Sequence, residues 1–168
     1  AEDSPYQVGS VRDYFLAQSR GMFDPTFDVV AKVTLPNSYK QYGANGAGGG
    51  HDVGVLAMVK EAIRDAINQG VDFSKYEEKY KIPNVIVLYA GYGEATSSDP
   101  NTIWPHERDL DTQTGAIGEY IFGSYFVGNE LNGSYGNQVM GMGVMVHELG
   151  HALGLPDFYD PTYSYRND

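Results

Sequence analysis

The 168-residue sequence contains no cysteine. This absence excludes disulfide bonds, thiol nucleophiles and thiolate metal ligands, so any metal must be held by histidine or carboxylate side chains. Basic residues are also scarce, since 11 lysines and arginines stand against 22 aspartates and glutamates, for a formal net charge of −11. Such a charge repels phosphate groups and argues against nucleic acid or an anionic membrane as a partner.

Long apolar runs are absent as well. No run approaches the ~20 residues that a membrane span needs, and the opening Ala-Glu-Asp-Ser-Pro has neither the basic start nor the apolar core of a signal peptide. We therefore expect no membrane insertion. Hydrophobic residues make up 42% of the chain and charged residues 20%, which is ordinary for a folded domain. Length and composition together predict a single globular domain over residues 1–168.

Several segments have the patterns of helices. Ser10 and Asp13 have capping-box spacing at the start of a short helix that Gly21 can end. Residues 42–50, "YGANGAGGG", lack the Lys and Ser/Thr of a phosphate loop and are interpreted as a flexible loop. A long helix is predicted over 52–69, capped by Asp52 and closed by Gly70. Its predicted apolar stripe consists of Val53, Leu56, Val59, Ile63, Ala66 and Ile67.

Other segments have the patterns of strands. Apolar residues alternate over 29–35, which predicts a half-buried strand with Val29, Ala31, Val33 and Leu35 on one face. The continuous apolar run 85–90 predicts a central strand covered on both faces. Residues 94–118 are interpreted as loop, and 120–127 as one or two further strands. Helices mixed with strands in this way predict an α/β (α+β) fold with a twisted mixed sheet and the long helix packed against it.

The segment "VMVHELGHALGLPDFYD", residues 144–160, carries the main chemical signal. An α-helix advances ~100° per residue, so His147 and His151 stand about 40° apart on one face and can share one ion. Glu148 lies at the flank of that face, where its carboxylate can reach a metal-bound water without being a ligand. The opposite face is predicted to be buried and consists of Met142, Met145, Val146, Leu149, Ala152 and Leu153.

Zinc suits such a site. Imidazoles and a carboxylate are its usual ligands in proteins, and three protein ligands leave the fourth tetrahedral position for a water whose pKa falls toward ~7. Glu148 is then placed to act as general base and to pass the proton to a leaving amine, which predicts peptide-bond hydrolysis. Taken alone, His-Glu-x-x-His also fits a surface helix, but Gly154 and Asp157 extend the motif: the glycine can turn the chain sharply, and Asp157 can return to the metal as third ligand.

The extended motif resembles a known zinc signature. His-Glu-x-x-His-x-x-Gly-x-x-His is typical of metzincins, with Asp157 here in place of the last histidine. The stretch "HELGHALGLPDFYD", together with "VLYAGYGEATSSDPNTIWPH" upstream and "SVRDYFLAQSRGMFD" near the start, resembles the immune inhibitor A family of secreted bacterial metallopeptidases. The resemblance implies a secreted zinc endopeptidase with a zincin-like catalytic domain that acts on protein or peptide substrates. It also implies a propeptide and stabilisation by calcium.

By this resemblance His147 and His151 are zinc ligands, Glu148 is the general base and Asp157 is the preferred third ligand. Asp160, or a carboxylate elsewhere, stays open as an alternative to Asp157. Metzincins also place a methionine turn downstream of the signature, whereas all five methionines here precede His147. The sequence runs only 168 − 157 = 11 residues beyond Asp157. We therefore expect the floor of the site to come from a further C-terminal domain or another chain.

Other candidate residues are assigned structural roles. His106 is interpreted as a ring hydrogen-bonded within its loop in preference to a cleft residue, and His51 as a residue at the entry to the long helix. Glu130 has no assigned role. An acidic loop is preferred over a calcium site for Glu94, Asp99, Asn101, Asp109 and Asp111. The alternative function is a noncatalytic extracellular binding or adhesion domain that retains a zinc-binding helix, and Glu148 argues against it because binding needs no base.

Overall fold

The computed structural model describes residues 9–47 and 52–158 of the chain. Within these residues, a short 3₁₀ turn spans Ser74–Tyr76, and the strands are β1 (Ile82–Tyr92), β2 (His106–Asp109) and β3 (Phe122–Leu131). The helices are α1 (Val11–Gln18), α2 (Tyr39–Tyr42), α3 (Val55–Asn68), α4 (Glu94–Ser97), α5 (Asp111–Thr114) and α6 (Met142–Ala152). The predicted mixed α/β architecture is confirmed. His51 and Asp160 lie outside the described residues.

The strands form one mixed sheet in the order β1-β3-β2. β3 pairs in parallel with β1 and antiparallel with β2, and its first eight residues are all buried. The prediction that the run 85–90 is the central strand is wrong: β1 lies at an edge of this sheet, and Leu88 on it is 58% exposed. Apolar runs report burial, but the position of a strand in a sheet depends on the pairing of distant segments.

The main hydrophobic core lies on one face of the sheet, beneath α3. Val59 is fully buried there, and Val127 of β3 belongs to the same cluster. Two details of the predicted helix are wrong. Val53 is 68% exposed because it precedes the first turn, and α3 begins after Gly54 without a side-chain cap. The Asp52 carboxylate instead accepts the backbone N–H of Trp104, 2.8 Å away. Asp52 therefore joins the loop before β2 to the start of α3.

Helix α6 packs against β2 and β3, with α1 packed on α6 in turn. α1 has the predicted capping box between Ser10 and Asp13. None of the described helices is long and apolar enough to cross a bilayer.

Two further predictions are corrected by the structure. The alternation over 29–35 does not form a strand: Ala31, Val33 and Leu35 pack against the core as predicted, but the segment joins no sheet and Val29 is 97% exposed. The stretch 94–118 is not loop throughout, since it contains α4, β2 and α5. Strand β2 consists of four charged or polar residues, His-Glu-Arg-Asp, which have poor strand propensity. The local sequence therefore did not predict a strand there.

Candidate metal centre

Helix α6 presents the two motif histidines and then ends in a tight turn. Gly154 has a φ of +84°, a left-handed conformation that glycine adopts without a Cβ penalty. Its N–H donates to the His151 carbonyl over 2.8 Å, and the Leu155 N–H donates to the Gly150 carbonyl over 3.0 Å. These bonds are the pattern of a glycine-terminated helix. They confirm the predicted end of the helix and direct residues 155–158 back along it.

Three donor atoms converge at this turn. His147 Nε2 and His151 Nε2 lie 3.2 Å apart, and Asp157 Oδ1 lies 3.4 Å from the first and 3.3 Å from the second. Ligands about 2.0 to 2.1 Å from a tetrahedral zinc ion are separated from one another by ~3.3 Å, which follows from the tetrahedral angle. The spacing of the three atoms therefore fits one such ion. Among the described residues, no other group of three or more His, Asp and Glu side chains is close enough to hold a metal.

The His151 ring has its tautomer fixed by a backbone contact. Its Nδ1 lies 2.9 Å from the Leu155 carbonyl oxygen, and a carbonyl can only accept, so Nδ1 carries the proton and Nε2 keeps its lone pair. This hydrogen bond also raises the pKa of His151. A ring held in this way can give Nε2 to a metal. The exposed fractions of the His147 and Asp157 side chains, 39% and 38%, leave the centre open to solvent.

Glu148 stands apart from the three donors. It is only 8% exposed, and its Oε2 accepts the backbone N–H of Glu107 over 2.9 Å. Burial raises the pKa of the Glu148 carboxyl, while the nearby His147 and the Glu107 N–H act in the opposite direction. The structure thus leaves Glu148 outside the group of possible ligands, held between helix α6 and edge strand β2.

The contact with Glu107 could not be read from the sequence. It uses a backbone N–H, which any residue except proline would supply, and it requires β2 to lie beside α6. In an antiparallel pair, the N–H groups of successive residues point alternately toward the paired strand and away from it. The Leu110 N–H donates to the Gly123 carbonyl of β3, so the N–H of Glu107, three residues earlier, points away from β3. The N–H of Glu107 is therefore available to Glu148.

The remaining candidates that the structure describes are not among the three converging donors. The His106 ring is hydrogen-bonded, as predicted, to the Trp104 carbonyl and also to the Tyr125 hydroxyl, although it lies on a strand and not in a loop. Two of the suggested calcium ligands are paired with lysines, in the ion pairs Lys40–Asp99 and Lys81–Asp111. Leu153, predicted to be buried, is 51% exposed because it lies at the helix end.

A His-Glu-x-x-His helix packed beneath a mixed sheet, with an antiparallel edge strand beside the glutamate, defines a zincin-like metallopeptidase domain. Residues 3–168 match the family described as "Immune inhibitor A peptidase M6, catalytic domain". The chain belongs to this family of metallopeptidases, and the resemblance seen in the sequence is confirmed.

Curated relatives agree with this assignment. The chain is 27% identical to immune inhibitor A of Bacillus thuringiensis subsp. alesti, in an alignment that covers 94% of the chain and 26% of that protein. It is 24% identical to the pre-pro-metalloprotease PrtV of Vibrio cholerae serotype O1, over 92% of the chain and 19% of that protein. The chain thus spans about a quarter or less of the length of these relatives.

Proposed function

We propose that this domain is the catalytic part of a zinc-dependent endopeptidase. The observation that carries the proposal is the convergence of His147, His151 and Asp157 at 3.2 to 3.4 Å, with Glu148 buried beside them and not among them. Two imidazoles and one carboxylate are a usual donor set for catalytic zinc. We assign the three converging residues as the zinc ligands and Glu148 as the general base.

The chain's own groups divide the work of peptide hydrolysis. A bound zinc ion supplies Lewis acidity and lowers the pKa of water in its coordination sphere. Glu148 accepts a proton from the attacking water and then donates it to the leaving amine nitrogen. The Glu107 N–H holds Oε2 of Glu148, which leaves Oε1 as the oxygen that we assign to proton transfer. The Leu155 carbonyl keeps the His151 ring in the tautomer that directs the Nε2 lone pair at the metal.

Replacement of Glu148 by glutamine tests this division. The amide oxygen of the introduced glutamine can still accept the Glu107 N–H, but the amide cannot take up a proton. We expect Glu148→Gln to retain zinc while hydrolysis of casein falls by a factor on the order of 10² to 10⁴. Glu130→Gln, a change at an exposed glutamate of β3, is the matched control and should leave zinc content and casein hydrolysis unchanged. Normal turnover by Glu148→Gln would refute the mechanism and favour a noncatalytic binding domain.

The substrate class and compartment are part of the same proposal. The open centre suits an extended peptide, so we propose protein substrates in an unfolded or loop conformation. The name of the Vibrio relative records a precursor form, and its organism, like that of the Bacillus relative, is a bacterium. We propose secretion by a bacterium with removal of a propeptide, and completion of the site by sequence outside this domain. Fractionation that finds the full-length protein only in the cytosol would overturn the proposal of secretion.

A further inference from the structure

The His106 ring connects the start of strand β2 to two other segments. Its Nδ1 lies 2.6 Å from the Trp104 carbonyl oxygen, so this nitrogen carries the proton. Nε2 must then be the acceptor in its 3.0 Å contact with Tyr125, whose hydroxyl donates. Burial lowers the pKa of His106, which keeps the ring neutral and suited to this arrangement. The two rings also meet edge to face, with centroids 5.5 Å apart.

His106 and the next residue, Glu107, project to opposite faces of the sheet. His106 is opposite Val127 of β3, and directly opposed residues of an antiparallel pair share a face. Val127 and Tyr125 belong to the core beneath α3. Glu107 is opposite Phe126, and its backbone N–H donates to Glu148 of α6. The pair thus anchors β2 at the residue next to the N–H that holds Glu148.

Strand β2 needs such an anchor. It has four residues, lies at the edge of the sheet and consists of His-Glu-Arg-Asp, which have low strand propensity. Its far end is fixed by Leu110, which is fully buried and bonded to β3. At the near end, next to Glu107, the side-chain bond from β3 comes from Tyr125. A shift of this end moves the Glu107 N–H away from Glu148.

We propose that His106 and Tyr125 are a positioning pair for the general base: they fix the start of β2 so that the Glu107 N–H holds the Glu148 carboxylate. Neither residue contacts the reacting atoms. The inference rests on the proposed function, because it takes Glu148 to be the base. It adds a requirement for two residues that the zinc motif does not contain.

Removal of the Tyr125 hydroxyl tests the pair in the zinc-loaded full-length protein. Tyr125→Phe should lower kcat for a peptide substrate about tenfold, because the base is displaced, with KM within about twofold. His106→Asn keeps a donor for the Trp104 carbonyl but has no acceptor at the Nε2 position. His106→Asn should cause a similar loss of kcat. The kcat of the double variant should be no lower than that of either single variant, since both changes break the same hydrogen bond.

Tyr120→Phe is the matched control. Tyr120 is 7% exposed, donates its hydroxyl to Asp72 over 3.2 Å and precedes β3, so the same atom is deleted away from β2. Zinc content and Tm are measured for every variant. Unchanged kcat in both Tyr125→Phe and His106→Asn would overturn the proposal. A loss of kcat equal to that of Tyr120→Phe, in parallel with a fall in Tm, would also overturn it, because the role would be structural only.

Amide hydrogen exchange at Glu107 is a second readout that does not depend on activity. Exchange should be about tenfold faster in Tyr125→Phe and His106→Asn than in the wild type, and unchanged in Tyr120→Phe. Unchanged exchange in the first two variants would overturn the proposed anchoring. If the zinc-loaded wild type hydrolyses no peptide, the proposed function fails, and with it the claim of a positioned base. Faster exchange would then establish only that the pair anchors β2.

Discussion

His151 donates its Nδ1–H to the carbonyl oxygen of Leu155 over 2.9 Å, and Leu155 lies just beyond the glycine that ends the same helix. The turn at Gly154 thus has two effects on the candidate metal centre. It brings Asp157 within 3.3 Å of His151, and it provides the acceptor that fixes the tautomer of that histidine. One backbone conformation therefore orients two of the three proposed ligands.

A side chain at Gly154 should weaken zinc binding. An alanine Cβ would meet no atom within 4 Å, so Gly154→Ala introduces conformational strain and no clash. A left-handed conformation costs a non-glycine residue about 1 to 2 kcal/mol. Relaxation of the turn displaces Leu155 and Asp157, and we expect the Kd for zinc to rise about tenfold. A competition titration against a chromogenic chelator measures this value.

Gly70→Ala is the control for this change. Gly70 follows α3 with a φ of +90°, an alanine there would also meet no atom within 4 Å, and its turn has the same pair of hydrogen bonds. Both variants should lose about 1 to 2 kcal/mol of unfolding free energy. Only Gly154→Ala should lose zinc affinity. Equal zinc affinity in the two variants would mean that the turn does not orient the ligands.

Asp157 is the ligand that the sequence leaves open and the geometry favours directly. Asp157→Ala should weaken zinc binding at least about hundredfold, because two imidazoles remain. Asp157→His restores a nitrogen donor at the position where metzincins have histidine, and we expect its affinity to lie within about tenfold of the wild type. Zinc content after dialysis compares the three proteins. Full zinc occupancy in Asp157→Ala would transfer the role to another residue.

Removal of the metal should destabilise the domain. A ligand that binds only the folded state at 100 times its Kd adds about 2.7 kcal/mol to the free energy of unfolding. A chelator should therefore lower the Tm of the wild type. His151→Ala lacks one proposed ligand, so a chelator should leave its Tm nearly unchanged. Equal decreases in Tm for both proteins would place the stabilising metal elsewhere.

The lowered pKa of His106 predicts a loss of stability in mild acid. The ordinary pKa of histidine is 6.5, and burial lowers that of folded His106. As pH falls below about 6.5, the unfolded chain binds a proton that folded His106 does not, so the free energy of unfolding decreases. The contribution of His106 is fully present above that pH and is lost as pH falls toward the folded pKa.

Urea denaturation at pH 7.5 and 5.5 measures this effect. The decrease should be smaller in His106→Asn than in the wild type, by at most about 1.4 kcal/mol for each pH unit below 6.5. Because His147 and His151 are present in both proteins, their contribution cancels in the comparison. An identical decrease in the two proteins would contradict a neutral, buried His106.

Much of the domain is predictable because its signals are local. The spacing of His147 and His151 on one helix face, the glycine that ends α6 and the capping box at Ser10 depend on residues within one or two turns, and the structure has all three. Strand β3 and the backing helix follow from apolar patterns of the right period. The errors occur where an element is defined by a distant partner, as with β2, or with the edge position of β1.

The donor types and the helix that carries them follow from the residues alone, through the absence of cysteine and the spacing of two histidines and a glutamate. The family follows from the resemblance of longer sequence blocks and from the match over residues 3–168. Which groups surround that helix depends on tertiary packing. Parallel pairing of β1 with β3 and antiparallel addition of β2 bring the Glu107 N–H to Glu148 and place His106 against Tyr125. These contacts join residues 19 to 41 positions apart in the sequence. Side-chain patterns show which face of a strand is buried but not which strand lies beside it, so contacts of this kind cannot be predicted from the sequence pattern.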